Sequence, residues 1–124
     1  MTNESLPRVF LLASDLMLSS TVSGAARVAG AAFQSGDAAA AADVVTEYPQ
    51  TLLLIDLGGL TSPIADLAAS CPTAVRERAV AYGPHVHTEK LAAARDAGIG
   101  RVISRGQFSS SLSRILQQYV ESPA

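Results

Sequence analysis

The chain has 124 residues, the length of one compact domain. Its 48% hydrophobic and 16% charged residues exclude an intrinsically disordered chain, and a single cysteine excludes an internal disulfide and a cysteine zinc cage. The net charge of -2 does not favour general nucleic-acid binding, and no apolar run reaches the roughly 20 residues of a membrane span. The N-terminus has no secretory signal pattern and the single cysteine suits a reducing compartment, so we expect a cytoplasmic protein. Met1 and the last residues, 122–124, favour a whole protein.

The first half of the chain alternates short apolar runs with helix-like segments. Residues 8–13 lack period-two alternation, which is typical of a strand covered on both faces. Asp37 is placed to cap an alanine-rich helix that Pro49 ends. The elements predicted here are a strand at 8–13, a helix at 16–29, a short edge strand at 31–34 and a helix at 38–48.

The second half opens with the clearest strand, residues 51–56, in which four large aliphatic residues precede Asp56. Thr88 is a candidate cap and Gly98 a candidate stop for one helix, and the serines at 109–111 are candidate caps for the last helix. The remaining predicted elements are a loop at 57–60, a helix at 63–70, strands at 79–82 and 101–104, and helices at 88–97 and 108–120.

Strand and helix therefore alternate five times. This order predicts an α/β fold with a parallel sheet and helices on both of its faces. Five strands in a chain of this length fit the flavodoxin-like doubly wound arrangement, with strand order 2-1-3-4-5. We expect a single domain spanning residues 1–124.

Function in such a sheet is located outside the carboxyl ends of the strands. Asp15 follows the first predicted strand, Asp56 ends the third, Gly83 follows the fourth and Arg105 follows the fifth. Because strands one, three and four are neighbours in the predicted order, we expect Asp15 and Asp56 to face one crevice.

On these residues the chain resembles the receiver domain of two-component response regulators over nearly its whole length. The segment LAAARDAGIGRVISR, residues 91–105, is similar to the family's stretch that leads to a lysine. The resemblance implies that Asp56 matches the phosphoacceptor and Asp15 the second acid of a magnesium-binding pair. It also implies that Arg105 stands at the lysine position.

Four positions depart from the pattern of that family. Ser14 replaces the first acid, Gly83 a threonine or serine, Arg105 the lysine, and Gly106 a proline. A serine brings no charge to a cation, and an arginine differs from a lysine in shape and reach. We therefore expect a degenerate receiver, or pseudo-receiver, that is not an enzyme and requires no cofactor, with a weak magnesium site at most on Asp15 and Asp56. The alternative is a working magnesium-dependent phosphoacceptor that uses Asp56.

The resemblance also implies a surface for protein contacts, formed by the last helix–strand–helix unit. That unit carries charges of both signs, which suits either a protein partner or a homodimer, with no role for nucleic acid or membrane. The charged residues are Arg95, Asp96, Arg101, Arg114 and Glu121.

A third possibility is a small-molecule or metal site at the same edge, to which His85 and His87 contribute together with Asp15 and Asp56. Simpler interpretations exist for each residue. Asp15 is a candidate helix N-cap, Asp56 marks the point where a buried strand reaches water, and the histidines belong to a solvated loop. Cys71 has no nearby cation or histidine in the sequence, which favours an inert thiol.

Overall fold

The computed structural model describes residues 6–13 and 15–121. Its five strands form one parallel sheet in the order β2-β1-β3-β4-β5, which confirms the predicted fold class and strand order. The strands are β1 (Arg8–Leu12), β2 (Ala32–Gly36), β3 (Leu52–Asp56), β4 (Val80–Gly83) and β5 (Arg101–Ser104).

The helices follow the predicted alternation, with one addition. They are α1 (Leu16–Ala29), α2 (Ala38–Glu47), α3 (Ile64–Ala69), α4 (Thr73–Arg78), α5 (Thr88–Asp96) and α6 (Arg105–Glu121). The sequence did not predict α4, because its six residues bury one apolar side chain, Val75, and so show no periodicity. The predicted loop after β3 is a short 3-10 helix, Leu57–Gly59.

The last helix begins three residues earlier than predicted, and the serines at 109–111 lie inside it rather than at its cap. The cause is a reciprocal capping pair. The Gln107 backbone N–H donates to Ser104 Oγ at 3.1 Å, and the Ser104 N–H donates to Gln107 Oε1 at 3.0 Å. Thr88 was also wrong as a cap, because it is the first residue of α5 and His87 precedes it without a side-chain bond.

Other predicted helix ends are confirmed. Asp37 Oδ1 accepts a hydrogen bond from the Ala40 N–H at 2.9 Å and caps α2. Gly98 follows α5 with a φ of +89°, a conformation in which a Cβ is strained. Among the described residues, no helix combines the length and the apolar character that crossing a lipid bilayer requires.

The sheet separates two apolar layers, and β3 shows how. All five of its residues are buried, as its unbroken aliphatic run predicted. Leu53 and Ile55 pack in the layer formed with α2, α3, α4 and α5, whereas Leu52 and Leu54 pack in the layer formed with α1 and α6. By the alternation of a strand, Asp56 is directed to the α1–α6 side of the sheet at its carboxyl edge.

Candidate functional site

Asp15 lies at the carboxyl end of β1 and caps α1, so the N-cap interpretation is confirmed. Its Oδ1 accepts hydrogen bonds from the backbone N–H groups of Met17 at 2.9 Å and Leu18 at 3.2 Å. Its Oδ2 accepts from Arg105 Nη2 at 3.1 Å, which closes an ion pair across the start of α1 and the start of α6. The Leu18 N–H, then the Met17 N–H and Arg105, hold the pKa of Asp15 below its usual range. Both carboxylate oxygens are thus engaged.

Asp56 is one of two buried polar residues identified in the described chain, with 7% of its surface exposed. Its Oδ1 accepts a hydrogen bond from the Gly58 N–H at 2.9 Å and thereby caps the short 3-10 helix that follows β3. A carboxylate at the end of a buried strand thus has a local structural role here, at the carboxyl edge of the sheet where β3 lies between β1 and β4.

Tyr82 is the residue of this edge to which the sequence interpretation gave no role. It stands opposite Asp56 in the β3–β4 register, is fully buried, and stacks on Phe108 with ring centroids 4.0 Å apart. Its hydroxyl is buried without a hydrogen-bond partner among the described residues. Burial first, and the negative charge of Asp56 second, raise the pKa of Tyr82. A hydroxyl-bearing residue in an otherwise apolar strand was the signal that could have identified it.

The positions that depart from the receiver pattern differ in their surroundings. Arg105 begins α6 and pairs with Asp15 across the edge. Gly83 ends β4, and a Cβ there would meet the Leu57 Cβ at 3.5 Å, an ordinary contact, so the fold does not require glycine. Ser14 lies outside the described residues.

The two histidines were candidates for a metal site at this edge of the sheet. His85 and His87 are both exposed between β4 and α5. Within residues 6–13 and 15–121, no three histidine, cysteine, aspartate or glutamate side chains come together as a metal-binding group. Cys71 is buried, and this burial raises the pKa of its thiol, in keeping with the inert-thiol interpretation.

The donor set can be compared with what magnesium needs. This ion prefers octahedral oxygen coordination with one or two carboxylates. Asp15 has both oxygens in hydrogen bonds and a guanidinium at 3.1 Å, which leaves Asp56 as the remaining carboxylate of the predicted pair. In this conformation magnesium would have to compete for Asp15 with two backbone N–H groups and the Arg105 guanidinium.

No family model matches the chain, and no curated protein matches it either. The chain does superpose on several solved structures. FixJ-N superposes with a TM-score of 0.70 at 13% identity, over 94% of each chain. A response regulator receiver domain from Rhodospirillum rubrum gives 0.68 at 15% identity, over 90% of this chain and 92% of that one. The beryllofluoride-activated NtrC4 receiver domain dimer gives 0.67 at 11% identity, over 90% and 98%. The chain has the fold of these receiver domains.

Proposed function

We propose that this protein is a receiver-like signalling module that acts by protein contact, without enzymatic activity and without conventional phosphorylation. The observation that carries the proposal is the engagement of both Asp15 oxygens, one side in the N-cap of α1 and the other in the ion pair with Arg105. In a phosphoacceptor site that carboxylate would have to bind a divalent cation.

The guanidinium of Arg105 is already bonded to the carboxylate that such a cation would need. It brings one positive charge to Asp15 at 3.1 Å and so opposes the approach of a second cation. To bind Asp15, magnesium would have to break the ion pair with Arg105 and compete with the backbone N–H groups of Met17 and Leu18. We infer that this edge of the sheet binds magnesium weakly and that the fold has been kept for its contacts.

The partner surface that we propose is the α5–β5–α6 face. Its charged residues are at the surface and carry both signs, which fits a protein partner or a second copy. The NtrC4 receiver domain shares the fold and forms a dimer in its beryllofluoride-activated state, which supports association as a mode of action. The five charged residues of this face are Arg95, Asp96, Arg101, Arg114 and Glu121.

The deciding experiment is a thermal melt with and without magnesium and beryllofluoride, a mimic of an acyl phosphate. A ligand that binds only the folded state raises the melting temperature. We expect no shift for the natural chain and none for Asp56→Asn. A clear stabilisation that Asp56→Asn abolishes would overturn the proposal and establish Asp56 as a phosphoacceptor.

A gain-of-function variant provides the positive control. Ser14→Asp, Gly83→Thr and Arg105→Lys together restore the acid, the hydroxyl and the lysine of the family pattern. Because the added Cβ at position 83 meets only ordinary contacts, we expect this variant to fold. It should gain a beryllofluoride-dependent shift that the natural chain lacks.

A further inference from the structure

The outer face of α1 differs from an ordinary solvated helix face. The 14 residues of α1 include one charge, Arg27, near the end. Four large hydrophobic side chains are strongly exposed in the described chain, and three of them belong to this helix: Leu16 at 85%, Met17 at 82% and Val28 at 83%. Solvent-facing helix surfaces are normally charged or polar, so an uncharged face with this apolar exposure indicates a contact surface.

Four residues on the outer side of α1 follow a regular spacing; three of them are exposed and Gly24 is half-buried. Met17, Thr21, Gly24 and Val28 are separated by four, three and four residues, the spacing of the seam along which two helices pack. We call these four residues the α1 seam. At 1.5 Å per residue it extends over about 16 Å, with large apolar residues at its ends and small residues at its centre.

Gly24 has no explanation within one protomer. Glycine inside a helix is less stable than alanine by about 1 kcal/mol, so its presence there normally reflects a packing need. Its φ is not positive, and a Cβ added to it would meet nothing within 4 Å. What a glycine in this position does permit is the close approach of another helix from outside.

We propose that the α1 seam binds the same seam of a second copy of this chain, with the two helices antiparallel. In this register Met17 packs on Val28 of the partner subunit, and Thr21 packs on Gly24 of the partner subunit, with both contacts repeated by symmetry. The contact is therefore isologous and closes as a dimer. Small residues meet at the centre, where the helices come closest, and large apolar residues cover the ends.

The charges next to the seam favour a second copy in this orientation. The seam itself is uncharged, so two copies meet without repulsion. Antiparallel packing keeps the two Arg27 side chains about 13 Å apart along the helix axis. Parallel packing would place the two arginines side by side, where like charges repel. The seam shares no residue with the α5–β5–α6 face, so the inference does not rest on the proposed function.

The first test is sedimentation equilibrium of the whole chain over a wide concentration range. We expect a monomer–dimer equilibrium that Val28→Glu weakens by at least about tenfold, because the contact would bury an unpaired charge. Asp43→Lys is the matched control, since it changes an exposed charge on α2, outside both the seam and the α5–β5–α6 face. Monomer at every concentration, or a dimer that Val28→Glu leaves as tight as Asp43→Lys does, would overturn the proposal.

Gly24→Ala separates packing from folding. Alanine is the better helix former and fits the protomer, so the melting temperature of the dilute monomer should rise. The same methyl group should keep the two helices apart and weaken the dimer several-fold. A dimer that this substitution leaves unchanged or strengthens would contradict close approach at Gly24.

The register is tested by disulfide cross-linking. A mixture of Met17→Cys and Val28→Cys chains should cross-link into heterodimers, whereas Met17→Cys alone should not, because antiparallel packing sets its two thiols about 16 Å apart. The natural thiol, Cys71, is buried and serves as the background in unmodified chain. Preferred cross-linking of Met17→Cys with itself would indicate a parallel contact and overturn the register.

Discussion

Two buried tyrosines, one at each edge of the sheet, have opposite surroundings. At the amino edge, Tyr119 is 5% exposed, its hydroxyl lies 2.6 Å from the Gln50 carbonyl oxygen, and it accepts a hydrogen bond from the Arg8 N–H at 3.1 Å. At the carboxyl edge, Tyr82 is fully buried and its hydroxyl has no partner among the described residues. The same chemical group is thus bonded at one edge and unsatisfied at the other.

The amino edge is held together by contacts between distant segments. Arg78 Nη1 donates to the Thr51 carbonyl oxygen at 3.1 Å, and the Arg8 guanidinium lies 3.9 Å above the Tyr48 ring. The Arg8 Nε is buried without a hydrogen-bond partner among the described residues, and the guanidinium gains the contact with this ring. The carboxyl edge has a surface ion pair and a carboxylate that caps a short turn. The comparison indicates that the tyrosine hydroxyl at the amino edge stabilises the fold, whereas the Tyr82 hydroxyl at the carboxyl edge is kept at some cost to it.

The largest expected effect is at the amino edge. Tyr119→Phe removes the acceptor of the Arg8 N–H and the donor to the Gln50 carbonyl, in a place where water cannot readily replace them. We expect a loss of about 1–3 kcal/mol in the free energy of unfolding, measured by urea denaturation at neutral pH. A loss near zero would mean that the hydrogen-bonded Tyr119 hydroxyl contributes no more to stability than the unpartnered Tyr82 hydroxyl does.

The matched substitution at the carboxyl edge should act in the opposite direction. Tyr82→Phe keeps the ring that stacks on Phe108 and removes a buried hydroxyl without a partner. We expect the free energy of unfolding to rise by about 1 kcal/mol. A destabilisation similar to that of Tyr119→Phe would contradict the difference between the two edges.

The pH dependence of Tyr82→Phe sharpens the test. Because the pKa of Tyr82 is higher in the folded protein than its ordinary value of 10, the unfolded chain ionises first as the pH rises. The natural chain therefore loses stability above about pH 10, and the advantage of Tyr82→Phe should grow there. Parallel urea titrations at pH 7 and in the alkaline range measure this difference.

Much of the fold could be predicted from the sequence because buried parallel strands leave a clear pattern. The run that ends at Asp56 and the stop at Gly98 are both confirmed, since each depends on local chemistry. The early start of α6 also had a local signal, because Ser104 and Gln107 have the spacing of a capping pair.

The arrangement of the site could be predicted only in part. The predicted strand order placed Asp15, Asp56 and Arg105 at one edge of the sheet. The hydrogen-bond partner of each side chain, however, depends on tertiary geometry. The contact of Arg105 with Asp15 spans 90 positions, and nothing local distinguishes it from a contact with Asp56. The isolation of the Tyr82 hydroxyl likewise depends on how β4 packs against α6, which no pattern in the sequence expresses.

The smallest expected effect is on the ion pair of the carboxyl edge. Asp15→Asn keeps an N-cap side chain, because asparagine caps helices as well as aspartate does, but it removes the charge that Arg105 binds. The pKa of Asp15 is lower in the folded protein than its ordinary 3.8, so its charge stabilises the fold above about pH 4, and this contribution is lost as the pH falls. We expect the natural chain to be slightly more stable than Asp15→Asn at pH 7 and equal to it near pH 2.

Asp37→Asn is the matched control, because Asp37 also caps a helix but has no ion pair within the described residues. High salt should reduce the Asp15→Asn difference, since the pair lies at the surface, and should affect the control less. A difference that persists unchanged at pH 2 would show that Asp15 acts through its cap alone. Arg105 would then be free to move, and the main physical obstacle to a cation at this edge would disappear.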